Sequence, residues 1–165
     1  MSADPRVATI GVYGFDLSRF LAALDGAGIE SVLDVRQRRG VRGSEYAWAN
    51  SQRLQRALAD AGIGYEHRKE LAPTTELREL QYREDARQGV GKRSRVELAG
   101  EYRRRYTREI LDPADLEGLA ARLGEAGRAV ALLCVERDPE ACHRSLVAAR
   151  LADRHGFAVM HLRPG

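Results

Sequence analysis

The chain is poor in cysteine, lysine and aromatic residues, and each scarcity narrows what it can be. Its 165 residues include two cysteines, one tryptophan and three phenylalanines. Two cysteines, in a sequence opening Met1-Ser2-Ala3-Asp4-Pro5 without the basic and apolar regions of a signal peptide, suit reduced thiols in a cytoplasm. By themselves Cys134 and Cys142 fall short of a metal site, and His67, His155 and His161 are scattered singly, so no metal is expected. No apolar run approaches the length that spans a bilayer, which excludes a membrane protein of the helical kind. Neither a glycine-rich dinucleotide fingerprint nor a P-loop occurs, so NAD and ATP have no support and no cofactor is expected. Only Lys69 and Lys92 are lysines, so almost all the positive charge is arginine. Guanidinium forks grip phosphates bidentately, although an Ala- and Arg-rich composition also follows from a GC-rich genome.

What is present reads as one globular domain over residues 1–165. The composition is 44% hydrophobic and 31% charged, with a net charge of +3, and the length suffices for a proper core. Val7 to Val12 is a short apolar strand. Phe20, Leu21 and Leu24 recur at helical spacing after capping residues Asp16 and Ser18, with Gly28 as the stop. Ser31 to Val35 is a second strand, Asn50 or Ser51 caps a helix through Leu54 and Leu58, and Ile63 to Arg68 is a third, more polar strand suited to an edge. Residues 71–111 carry no strand signal and read as a helical insertion. In it Thr74 or Thr75 starts one helix, and Ser94 with Glu97 forms a capping box for the next. Asp112-Pro113 opens another helix with Leu116, Leu119 and Leu123. Phe157 to Leu162 closes the sheet. The fold class is α/β: a single-domain, open, mainly parallel Rossmann-like sheet of about five strands with the first beside the fourth.

The stretch Arg128 to Arg150 organises the chain. Its apolar strand breaks at Glu136-Arg137-Asp138-Pro139, where Asp138 is placed to cap a helix and Pro139 to occupy its first turn. Cys142, His143 and Arg144 then fall near the positive end of that helix, past the carboxyl end of a strand, where ligands sit in open α/β sheets.

Four segments resemble a known family: Thr9-Ile10-Gly11, the LDVR run ending at Arg36, GIGYEHRKEL from Gly62 to Leu71, and LLCVERDPEACHRSLVA from Leu132 to Ala148. Together they are similar to the domain-of-unknown-function 488 family across nearly the whole chain. That resemblance implies an α/β fold and points to Asp34, Arg36, Cys142, His143 and Arg144, but implies no reaction. Many members carry TIGHS where this chain has Thr9-Ile10-Gly11-Val12-Tyr13, and a proline and a serine where it has Arg39 and Val41.

The candidate catalytic residues are Cys142 and His143. Helix dipole and cations favour a thiolate at Cys142, and an imidazole suits general acid–base work. The competing readings make Cys142 a packing residue and His143 a brace for the Glu136–Asp138 loop. Arg36, Arg42 and Arg144, with Asp34 and Glu136 orienting them, are candidates to hold an anion. Alternatively Arg36 pairs with Asp34 or Glu136. Lys92, Arg93, Arg95, Arg104 and Arg105, with Tyr102, Tyr106 and Trp48, suit a nucleic-acid backbone and base stacking, or else a solvated helix face. The leading expectation is an enzyme acting on a phosphorylated substrate, nucleotide or nucleic acid. The runner-up is a non-catalytic nucleic-acid-binding protein.

Overall fold

The computed structural model describes residues 5–126 and 129–165. Met1 to Asp4 and Arg128, read above as a signal-free start and as the lead-in to the fourth strand, lie outside the described residues. Five strands, β1 (Arg6–Ile10), β2 (Ser31–Asp34), β3 (Gly64–His67), β4 (Ala129–Leu133) and β5 (Ala158–Leu162), form one parallel sheet in the order β3-β2-β4-β1-β5. The helices are α1 (Leu17–Gly26), α2 (Ser51–Asp60), α3 (Thr75–Arg87), α4 (Gly100–Tyr106), α5 (Leu116–Ala126) and α6 (Arg144–His155). The α/β class is as expected, with β1 beside β4.

Strand composition explains the order. All five residues of β4 (Ala-Val-Ala-Leu-Leu) are buried, as a central parallel strand covered on both faces requires. The polar Tyr65-Glu66-His67 segment of β3 is half-buried and forms one edge. β5 forms the other, with Val159 and Met160 exposed. Steps from β1 to β2 and β3 run one way across the sheet, and the steps to β4 and β5 run back. Right-handed crossovers then put α1 and α2 on one face and α6 on the other. Above the carboxyl ends of β1 and β4 the chain departs in opposite directions.

The loops after β1, β2 and β4 meet at this rim through backbone bonds. The Val12 and Tyr13 amides both donate to the Val135 carbonyl (2.9 and 3.0 Å), and the Val35 amide donates to Leu133 (3.0 Å). The approach is so close at Gly11 that a Cβ there would stand 1.9 Å from the Glu136 carbonyl oxygen. Only glycine fits without moving backbone. Gly11→Ala is therefore expected to destabilise the fold by about 3 kcal/mol, the scale of an overpacked interior. A urea midpoint unchanged from the parent would show that the rim yields instead.

Several helix starts differ from the sequence expectation, each because a side chain finds another partner. Asp16 and Thr74 cap α1 and α3 as expected, accepting from Arg19 N (2.8 Å) and Leu77 N (3.2 Å). Asn50 precedes α2, but its carboxamide accepts from Val41 N (2.7 Å) and pins the arginine-rich loop from Arg36 to Gly43. The Ser94–Glu97 capping box does not form: Ser94 Oγ accepts from Gly91 N (2.9 Å) within a turn, and α4 begins only at Gly100. Asp115, not Asp112, holds the start of α5, accepting from Gly118 N (2.9 Å). Asp138 pairs with Arg163 and caps nothing, and Pro139–Ala141 makes a single 3-10 turn. Cys142 is extended (φ −141°, ψ 146°), and α6 starts two residues later with His143 in the capping position.

Candidate functional site

Cys134 and Glu136 follow the last residue of β4 and stand two positions apart. Extended chain sends alternate side chains to the same face, so both look toward the segment before α6. There the kink at Cys142 brings a second sulfur to the same place. The Cys142 and Cys134 sulfurs lie 3.7 and 3.8 Å from Nδ1 of His143, and the Cys134 thiol reaches Oε2 of Glu136 at 3.5 Å. Cys134, Cys142 and His143 are 5%, 1% and 4% exposed.

The orientation of His143 is set from β2. Its Nε2 stands 2.8 Å from the Val35 carbonyl oxygen, which can only accept, so Nε2 carries the hydrogen. In the neutral ring Nδ1 then presents its lone pair to both sulfurs. Tyr106 lies against the ring at a centroid distance of 5.4 Å and donates its hydroxyl to the Leu71 carbonyl (2.5 Å).

Burial opposes ionisation throughout the cluster, and neighbours decide the outcome. Burial would raise the Cys142 thiol, yet the Cys134 hydrogen bond and the charges of His143 and Arg144 hold it well below the usual thiol range. Burial first, then the bond to Cys142, pushes Cys134 well up. At His143 burial favours the neutral ring, but the facing Cys142 sulfur outweighs it and raises the group. Burial and the Cys142 charge raise Glu136, against Lys92 and Arg95. The set resolves into one sulfur biased toward thiolate, one held as a thiol, and an imidazole biased toward charge.

A cavity of about 50 Å³ opens beside these groups, walled by Tyr82, Lys92, Arg95, Tyr102, Cys142 and His143. That is room for a few water molecules. Arg95 is 7% exposed and already committed: its Nε and Nη2 bond Asp85 (3.0 and 2.7 Å), and its Nη1 bonds Glu136 (3.3 Å) and the Ala141 carbonyl (3.0 Å). Lys92 is different, making no ion pair within 4 Å and no side-chain hydrogen bond among the described residues. It feels Glu136 and the sulfur of Cys134 across the cavity.

Arg36 and Arg144, expected to grip an anion, are placed otherwise. Arg36 is 1% exposed, with its fork on Asp34 (Nε 2.9 Å, Nη2 2.8 Å) and its Nη1 on the Ala49 carbonyl (2.9 Å). Arg144 is fully buried and bonds the Glu136 and Arg137 carbonyls (2.7 and 3.2 Å), bracing the loop that carries Glu136. Both cations found backbone and carboxylate acceptors inside the protein, which leaves no fork facing a ligand. Val35, one residue before Arg36, does touch His143, so the loops after β2 and β4 share a rim although Arg36 does not line the cavity. Arg42 is exposed, and its carbonyl accepts from Arg93 (3.1 Å).

The expected nucleic-acid residues are divided in the same way. Lys92 and Arg95 face the cavity. Arg93 lies over the rings of Tyr13 and Tyr46 (5.1 and 5.3 Å) and pairs with Glu45 (3.3 Å). Arg104 is exposed on α4, and Arg105 pairs with Glu76 and Glu109. Tyr102, Tyr106 and Trp48 are 4%, 0% and 7% exposed, so the aromatic platform expected for bases is core. Sequence reasoning also missed Cys134 as a partner of His143. The signal was the two-residue spacing of Cys134 and Glu136 beyond an apolar strand.

Among the described residues no helix is long and apolar enough to cross a membrane. No curated protein and no solved structure matches the chain. The family described as "Domain of unknown function DUF488" matches residues 16–151. That span runs from the cap of α1 into α6 and takes in Val35, Lys92, Cys134, Glu136, Cys142 and His143; the chain belongs to the DUF488 family.

Proposed function

We propose that the protein is an enzyme acting on a small anionic substrate of the phosphorylated class, with the Cys142 sulfur as nucleophile and His143 as its proton partner. The observation that carries this reading is the 3.7 Å approach of Cys142 Sγ to an Nδ1 whose ring is turned toward it by the Val35 carbonyl. A nucleophile, a base and a group that orients the base are the elements of covalent catalysis. The thiol proton passes to Nδ1, the sulfur bonds to the electrophilic atom, and the leaving group departs with the proton from Nδ1. Water then releases the product, with His143 acting as base. The cavity admits only the reacting end of a substrate. The ammonium of Lys92 there makes no ion pair within 4 Å among the described residues and supplies the attraction for an anion that Arg36 and Arg144 do not.

A pair of alkylating reagents of nearly equal size tests the anion preference. Iodoacetate carries the charge that Lys92 attracts, and iodoacetamide does not. Metal-free protein is expected to react at Cys142 several-fold faster with the anion, relative to a free-thiol standard. One screened charge contact of about 1 kcal/mol is worth that much. Lys92→Gln should abolish the preference and leave the iodoacetamide rate unchanged. Equal preferences in parent and variant would remove the anionic substrate class.

A further inference from the structure

We propose that Cys134, Cys142 and His143, with Glu136 beside them, form a binding site for a divalent cation of the zinc class. Thiolate, imidazole and carboxylate donors lie about 2.0–2.3 Å from a tetrahedral zinc ion, so neighbouring donors stand roughly 3.3–3.8 Å apart. The separations here are 3.7 Å from Cys142 Sγ to His143 Nδ1, 3.8 Å from Cys134 Sγ to the same nitrogen, and 3.5 Å from Cys134 Sγ to Glu136 Oε2. The donor atoms of Cys134, Cys142 and His143 all fall within 4.8 Å of one another. Two sulfurs and a ring nitrogen this close together, two of their separations at tetrahedral edge length, are more than packing requires.

The surroundings agree with the donors. A metal-bound imidazole generally gives its other ring N–H to a carbonyl or carboxylate, fixing the tautomer and the ring plane. The Val35 carbonyl takes that bond from Nε2 at 2.8 Å. Glu136 divides its oxygens: Oε1 pairs with Arg95 (3.3 Å), and Oε2 is left toward the sulfurs. Two thiolates balance a dication, and the Glu136 carboxylate beside them is met by Arg95, with Lys92 also lining the cavity. Two sulfurs and an imidazole select zinc-like ions over magnesium or calcium, which take oxygen. On binding, the thiol hydrogen that Cys134 now gives to Glu136 leaves as a proton, and the ion takes its place.

Its functional consequence rests on the thiol-enzyme reading above. A metal uses the Cys142 sulfur and the Nδ1 lone pair, the same two atoms that nucleophilic attack requires. Occupancy and catalysis are mutually exclusive, so the ion holds the enzyme silent until it is removed.

The test uses the full chain, stripped with a chelator and titrated with cobalt(II). Tetrahedral thiolate binding is expected to give a near-ultraviolet sulfur-to-cobalt band and visible bands, all lost when zinc is added. One equivalent of zinc should slow Cys142 alkylation by iodoacetamide at least about 10-fold, because coordination draws the thiolate's charge toward the ion and lowers its nucleophilicity. Cys134→Ser should lower the charge-transfer band to about half, with one sulfur left of two, and weaken zinc binding by about 10–100-fold or more. That variant's metal-free Cys142 should still be alkylated, because His143 and Arg144 remain beside it and a serine hydroxyl can donate to the sulfur as the Cys134 thiol did. If the variant does not fold, the parent cobalt spectrum decides by itself. An octahedral cobalt spectrum without a sulfur band overturns the metal site, and fast alkylation in that same protein would leave the thiol reading standing. A sulfur-bound cobalt spectrum with Cys142 inert in chelator upholds the site and removes the thiol reading.

Discussion

Replacing His143 with glutamine is expected to slow alkylation of Cys142 in metal-free protein by about 10²-fold, the lower end of what a positioned proton acceptor contributes. Glutamine can still donate to the Val35 carbonyl, so the 2.8 Å tie to β2 is retained. What disappears is the Nδ1 lone pair 3.7 Å from the sulfur. Cys142→Ser should remove the fast-reacting thiol altogether. Cys134, which burial and the bond to Cys142 push up, should react only on unfolding in every variant. Stopped-flow alkylation with mass-spectrometric assignment of the labelled cysteine reads all three results, and circular dichroism checks the fold. A rate unchanged in His143→Gln would show that His143 is not the proton acceptor of Cys142. Because Cys142 is only 1% exposed, a small reagent is essential. A slow rate for bulky reagents alone says nothing about the pair.

The architecture was legible in the chain where a single local rule governs. β4 is an unbroken apolar run because it is central and covered on both sides, and β3 is polar because it is an edge. Asp16 and Thr74 cap amides three residues on, a bond set by local chain geometry alone. Local rules lost where tertiary partners arrived from far along the chain. Asn50 was captured by Val41, and the Asp138 cap was captured by Arg163, twenty-five residues on.

The fate of the arginines was the least legible feature. Sequence marks a guanidinium as charged and leaves open whether it faces solvent, ligand or core. Arg95 is drawn inside by Asp85 and Glu136. Arg144 is drawn in by two carbonyls that exist only once the loop after β4 has turned. The Cys142–His143 pair was legible as adjacent residues. Its geometry was not, because it depends on Cys142 leaving the helix and on the Val35 carbonyl, 108 residues earlier in the chain.

That carbonyl is held in place by the Asp34–Arg36 pair, so the second large effect is expected on stability. Asp34 is fully buried and accepts four bonds: the Arg36 fork at 2.9 and 2.8 Å, the Arg36 amide at 3.2 Å and the Tyr65 hydroxyl at 2.5 Å. Arg36 in turn ties the loop to the Ala49 carbonyl (2.9 Å), and its own carbonyl lies 3.0 Å from His67 Nε2. Desolvating both ions is costly, so the pair as a whole adds little net stability, but removing one partner strands the other charge in the interior. Asp34→Ala should therefore destabilise the fold by about 3–5 kcal/mol. That is a large share of the roughly 5–15 kcal/mol by which a domain this size is stable. Arg36→Met should cost a comparable amount by stranding the carboxylate. The double variant Asp34→Ala/Arg36→Met should recover part of the loss, since neither charge is then unpaired. Urea unfolding of the four proteins closes the cycle. Losses that simply add would mean that the two side chains act independently. In any variant that stays folded, Val35 sits on a looser loop, so Cys142 alkylation should slow along with the loss of stability. A destabilised variant alkylating at the parent rate would show that His143 holds its orientation without β2.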